Sequence, residues 1–367
     1  MEKPHPLTQW AINKIKAEYK DDIALLIAVT GHATDGDSHG EVFDYFIPET
    51  ERGYQLSRTF LLDGIGHDLY PRSWERMEKS ITLDEMTIVL ANGNILYANH
   101  EESADRFLAM QKQLTENLNN PEFVYRKALE RMDAAMDLYR NLLFEEKSYR
   151  ARSQAAYIHL YLSQAVAYLN HTYTDSAIFS EKQAYDSSCQ SRMYHCPELV
   201  SVPDSFFTYC RRLLTAETPK EIRETIDTLL IVTRKFILGK KPGQNVHCRE
   251  PENQAVKDGK PDYRGLADWY QELSLTFRRI RFFCKENMPE EAYEDACNLQ
   301  SELIAIGEEF LIEEFNLLDS FSPGSLGYLS LRSQKIEQAI RKILADHQVC
   351  LAEYQSLDEL EKGLAAR

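Results

Sequence analysis

Two aspartates embedded in apolar segments are the residues of this chain best suited to chemistry. Asp44 lies within Val42-Phe43-Asp44-Tyr45-Phe46-Ile47, and Asp68 within His67-Asp68-Leu69-Tyr70. A carboxylate among such neighbours is costly unless it is solvated or faces a cation. Two of them on adjoining strands can hold a divalent metal, Mg²⁺, against phosphate oxygens, and in-line phosphoryl or nucleotidyl transfer needs that alignment and charge neutralisation more than it needs covalent help. Between Asp44 and the preceding apolar run, Gly31 to Gly40 packs three glycines, two aspartates, a serine and two histidines into ten residues. That composition predicts a loop with exposed backbone N–H groups. Thr30, Gly31, His32, Asp35 and Asp37 on it, with Arg58 beyond, are candidates for approaching a nucleoside triphosphate. Glu41 is a candidate to assist Asp44 and Asp68 as a metal ligand, and Arg72 is a second arginine within reach of phosphates, although arginines so placed also pair with surface carboxylates.

The elements that must position these groups are legible in the hydrophobic pattern. Leu7, Ile12, Ile15 and Tyr19 recur at helical spacing. The near-continuous apolar run from Ile23 to Val29 predicts a central strand covered on both faces. Val42 to Pro48 and Thr59 to Tyr70 read as the next two strands, and the polar link at Glu49 to Gly53 suits an antiparallel hairpin. Ser73 opens a short helix, Thr82 with Glu85 has the form of a capping box, and Asn92-Gly93-Asn94 turns the chain into a last short strand, ILYA. Long helical periods then occupy about 101 to 118, 121 to 146, 150 to 170 and 219 to 238. Gly239 to Arg264 is rich in Lys, Pro, Gly, Asn and Asp, and three more helices are predicted at Leu266 to Met288, Glu290 to Leu318 and Leu329 to His347. The expected architecture is α+β: a small mixed sheet domain over 1–100, a helical substrate-side domain over 101–238, a linker over 239–264 and a helical extension or lobe over 265–367.

At this point the residues resemble the DNA polymerase β-like nucleotidyltransferase superfamily, and within it the antibiotic nucleotidyltransferases that adenylylate aminoglycosides. Thr34-Asp35-Gly36 is similar to the TDG of some members, EVFDYFIP from Glu41 to Pro48 is similar to the SDIDLFIP form of the second-strand motif, and HDLYP from His67 to Pro71 resembles the strand carrying the third carboxylate. The likeness implies transfer of a nucleoside monophosphate from an NTP, ATP by preference, to a hydroxyl of a small acceptor of aminoglycoside type, with Mg²⁺. It also implies a base supplied by the helical domain; on Ala155 to Asn170 the one residue suited to that is His159, whose alternative is a place in a packed helix face. The motif is degenerate: its first aspartate falls on Val42. A catalytically inactive relative that keeps nucleotide or ligand binding is therefore the alternative.

Composition excludes several other classes. With 42 basic against 58 acidic residues the formal charge is −16, which repels nucleic acid and attracts a cationic small molecule. No apolar run approaches the ~20 residues needed to cross a bilayer, and the start of the chain lacks the apolar stretch of a signal peptide, so a cytoplasmic protein is expected. Seven cysteines, an odd number without a tight repeat, fit reduced thiols. Cys189, His195 and Cys196 with His247 and Cys248 are of zinc-ligand type but lack paired spacing. His32, His39 and His67 bracket the aspartates and are possible substitutes for the lost ligand. No P-loop or dinucleotide fingerprint is present.

Overall fold

A computed structural model describes residues 6–29, 42–62, 64–185, 198–242, 262–310 and 312–365, with positions 42–44 described for the backbone alone. Helix α1 (Pro6–Glu18) leads into β1 (Ile23–Val29), all seven of whose residues are buried. Strands β2 (Val42–Pro48), β3 (Arg58–Leu62) and β4 (Ile65–Pro71) follow, then α2 (Trp74–Ile81), the single turn α3 (Ile88–Ala91) and β5 (Gly93–Ala98). The rest is helical: α4 (Glu101–Leu118), α5 (Pro121–Leu142), α6 (Ser148–Tyr168), α7 (Glu181–Tyr185), α8 (Phe206–Thr215), α9 (Pro219–Gly239), α10 (Tyr263–Lys285), α11 (Pro289–Glu309) and α12 (Gly327–Asp346), before a two-residue β6 (Glu353–Tyr354) and α13 (Leu357–Ala365). The class is α+β, with a six-stranded mixed sheet in the order β5-β1-β2-β4-β3-β6.

The expected second hairpin is arranged differently. Thr59 to Tyr70 forms two strands that pair with each other, Thr59 opposite Asp68 and Phe60 opposite His67, and β2 runs parallel to β4, with Tyr45 beside Tyr70. The reason is a turn at Gly64, which adopts a φ of 67° that an L side chain resists. Thr82 and Glu85 also form no capping box. Thr82 closes α2, its hydroxyl donating to Asp84 Oδ2 (2.6 Å) and Lys79 O (3.1 Å), while Glu85 turns to two arginines.

Both faces of the sheet are covered, by different parts of the chain. Phe46, Phe60, Leu69 and Leu26 pack with Leu7, Trp10 and Ile15 of α1 and with Leu360 of α13. On the opposite face, Leu25, Ile27, Val29 and Ile47 pack against α2, α3 and α4. The β3–β4 half of that face is covered by α10 instead. A Cβ built on Gly66 would collide with Ser274 Oγ and the Gln271 carbonyl, so only glycine permits α10 to lie this close. The chain's C-terminal part thus closes onto the N-terminal sheet: the Ala352 amide donates to Gln271 Oε1 (2.5 Å) and β6 extends the β3 edge. Among the described residues, no helix is long and apolar enough to cross a membrane.

Candidate functional site

Where the two covers of that face meet, strand β4 lays out a row. Side chains two apart on a strand share a face, so Asp68 and Tyr70 stand on the side of Gly66 and α10. Arg72, whose amide donates to Phe46 O (2.8 Å), continues the row past the strand end. Tyr45 of β2 lies beside Tyr70 in the same layer.

The Asp68 end is acidic. Asp68 Oδ1 accepts from the Thr59 hydroxyl across the hairpin (3.3 Å), and the carboxyl is nevertheless pushed up to about 6, chiefly by burial and then by the charge of Glu272 on α10. Glu272 is itself raised, by burial and then by Glu302 of α11, which accepts from Trp269 Nε1 (3.2 Å). Tyr157 of α6 feels the last of these acids: burial raises its phenol most, and Glu302 adds to the shift. An acidic series thus runs from the sheet into the helical region: Glu302 makes Glu272 harder to ionise, and Glu272 does the same to Asp68. A cation among them would reverse that cost.

At the other end two guanidinium groups share one carboxylate. Arg76 Nε and Nη2 bind both oxygens of Glu85 (3.2 and 3.0 Å), and Arg72 Nη2 binds Glu85 Oε2 (3.1 Å). Arg72 is only 2% exposed, its Nε has no hydrogen-bond partner among the described residues, and its guanidinium lies 5.7 Å from the Tyr45 ring centroid. Burial and then Arg76 lower its pKa. Arg76 packs on Tyr70 and donates to its hydroxyl (2.9 Å). Arg72, read from sequence as a possible phosphate ligand, is here a structural cation.

The proposed metal aspartates reach adjacent strands at nearly one level: Asp44 precedes Tyr45 by one residue, Asp68 precedes Tyr70 by two. Along β1 the pairing passes from Ile27–Tyr45 to Ala28–Phe43, so residue 44 is the extra residue of a β-bulge. Bulges re-aim a side chain relative to strict alternation and are frequent beside active sites. Thr30, Gly31, His32, Asp35, Asp37, His39 and Glu41 lie outside the described residues.

Three candidates are placed away from the row. Arg58 pairs with Leu69, which puts it on the α1 face, exposed, with Nη1 donating to Ser57 O (2.6 Å). His67 is on that face too, stacked on Phe60 at 5.6 Å. His159 is fully buried in α6, with Nε2 3.1 Å from Ile178 O and its ring edge-on to Phe179 at 4.5 Å. Burial pushes its pKa down to about 4. It is a neutral core histidine that no acceptor hydroxyl reaches, because the apolar side chains around it exclude solvent.

Glu272 and Glu302 went unnoticed in the sequence. Each is an ordinary acid on an amphipathic helix, and nothing local says that α10 will be laid over β4. The one signal was the Gly64-Ile65-Gly66 pair, since a glycine inside a strand marks a close approach of another backbone. Among the described residues no three His, Cys, Asp or Glu side chains are grouped closely enough to hold a metal. The Asp68 carboxylate is a hard oxygen donor of the type Mg²⁺ takes.

No family model matches the chain, and no curated protein matches it. A solved structure described as a nucleotidyltransferase-like protein from Exiguobacterium sibiricum 255-15 aligns with 82% of this chain and 92% of its own, at 14% identity and a TM-score of 0.33.

Proposed function

We propose that this chain is a nucleotidyltransferase that moves a nucleoside monophosphate from ATP or another NTP to a hydroxyl of a small cationic acceptor. The observation that carries the reading is Asp68: a partly buried carboxylate with a raised pKa, held on the strand parallel to the one bearing Asp44, beside a second acid and with no ion pair among the described residues. In this reading Asp44 and Asp68 hold Mg²⁺, which when bound neutralises the triphosphate and aligns it for in-line attack. The Thr30 to Asp37 loop approaches the phosphates. Glu272 takes the part first considered for His159. It comes from the helical region, burial and then Glu302 raise its pKa, and a carboxylate is chemically adequate to accept a hydroxyl proton. The acidic lining from Asp68 to Glu302 and the adjacent Tyr157 suit a cationic, hydroxylated acceptor.

Incubation with labelled ATP, Mg²⁺ and an aminoglycoside panel tests the proposal. Pyrophosphate release should depend on Mg²⁺, disappear in Asp44→Ala and Asp68→Asn, and fall in Glu272→Gln with nucleotide binding kept. No release from the wild type, or release unchanged in Asp44→Ala, would remove it. Val42 at the first motif position favours one second reading, a binding module that has lost the chemistry. Its mark is calorimetric nucleotide binding, indifferent to Mg²⁺, without turnover.

A further inference from the structure

Helices α5 and α9 lie side by side. The Tyr139 hydroxyl donates to Asp227 Oδ1 (3.4 Å), and the Arg223 guanidinium donates to Glu145 O just past the end of α5 (2.8 Å). The pair is therefore antiparallel, and one turn on from the first of these contacts Met136 and Ile231 come to the same level. Both are exposed, Ile231 to 60%. Leu143 and Phe144, the latter 84% exposed, lie toward one end of this face, and Leu238 lies toward the other. Large apolar side chains gathered on one face, unlike those scattered singly, mark an interaction surface.

The charges on the face follow an order that says what covers it. Between Ile222 and Leu238 the exposed residues of α9 are Glu224, Asp227, Ile231, Arg234, Lys235 and Leu238. Acids precede Ile231 and bases follow it, so the stripe has opposite charge on either side of its apolar centre. On α5, Asp133 and Arg140 likewise stand about one turn to either side of Met136. Asp133 is poorly compensated within the chain. Burial and then the charges of Asp137 and Glu130 raise its carboxyl, while Arg140 is turned to Asp137 (2.8 Å). A surface that carries opposite charges symmetrically about a point is complementary to itself.

We infer that a second copy of this chain docks on the α5–α9 face, about a two-fold axis that crosses both helices at the level of Met136 and Ile231. Such an axis reverses the helices in the second copy. Ile231 then packs on Ile231 of the second copy, and Asp227, four residues before it, meets Lys235 of the second copy, four residues after it. Asp133 meets Arg140 of the second copy on the neighbouring helix. Each contact occurs twice, as an isologous interface requires, and the centres of charge on the two helices coincide at one level, which a single axis demands. The net charge of −16 opposes association at long range, but salt screens exposed charges beyond about 8 Å at physiological ionic strength, so contacts within the face decide.

Sedimentation velocity on the full chain over a range of concentration tests this and needs no nucleotide, so its outcome is separate from the catalytic reading. Wild type should show a monomer and dimer in equilibrium. Ile231→Asp sets two carboxylates against each other on the axis, and the single reversals Asp227→Lys and Lys235→Glu each create two like-charge contacts, so each should raise the dimer Kd at least about tenfold. The double variant Asp227→Lys with Lys235→Glu restores opposite charges at both contacts and should return to within about threefold of wild type. Tyr328→Asp, at an exposed aromatic residue of α12, should leave Kd unchanged. All four positions are exposed, so the variants should melt with wild type. Dimerisation of Ile231→Asp at the wild-type Kd, or a double variant no better than the single ones, would overturn the inference. So would a wild type that stays monomeric up to millimolar concentration, which would leave the face to a different protein.

Discussion

The two ends of the β4 row present opposite electrostatic situations within four residues. At Arg72 two cations converge on one carboxylate, and Arg76, Tyr45 and Tyr70 complete a closed set of contacts. At Asp68, among the described residues, an acid meets a hydroxyl and the field of a further acid. Both groups are charged and removed from water to a large degree, so burial alone does not distinguish them. The difference lies in compensation. A charge whose partner is built into the fold is part of the scaffold, and one whose partner is missing marks where a ligand's charge belongs.

Breaking the arginine end should have the largest effect. Arg72→Ala removes a buried guanidinium and leaves Glu85 with one partner, and should cost about 3 kcal/mol, within the range found for splitting buried ion pairs. Urea denaturation measures it, and a loss below about 1 kcal/mol would mean that this end is not structural. The Asp68 end should respond in the opposite direction. Because its folded pKa lies above the ordinary carboxylate value, wild-type stability falls as pH rises from about 4 through about 6. Asp68→Asn escapes that loss and should be about 1 kcal/mol more stable than wild type at pH 8, and no different at pH 3. The same substitution should abolish any Mg²⁺-dependent rise in melting temperature.

The smallest effect is expected at a satisfied pair nearer the surface. Glu314 is bound by Arg150 (2.9 and 2.7 Å) and by the Tyr149 hydroxyl, and Arg150 above all holds its carboxyl down to about 2. Its contribution is therefore complete above 4.5 and lost as pH falls from there to 2. Glu314→Gln should cost below about 1 kcal/mol at pH 7 and nothing at pH 2, as measured by the urea midpoint.

Much of the fold was legible because its signals are local. The buried run Ile23 to Val29, the capped start of α2 at Ser73 and the long helical periods each depend on neighbours a few residues away. The parallel pairing of β2 with β4 was not. It follows from a turn at Gly64 hidden inside what reads as one strand, and a crossover cannot be inferred from either strand alone. Of the candidate site, Asp68 was legible as an acid in an apolar strand, whereas His159 shows the limit of the method. A histidine on a helix reads the same whether it faces a cleft or Phe179.

The sequence by itself determined which residues carry charge, where most strands and helices lie, and that an aspartate would sit between a histidine and a leucine in an extended segment. Tertiary structure alone decided that Arg72 is paired while Asp68 makes no ion pair among the described residues, that His159 is sealed away, and that Glu272 is raised. Those outcomes depend on side chains brought together from up to about two hundred residues apart, and both desolvation and Coulomb energy are functions of spatial neighbours, about which chain order is silent.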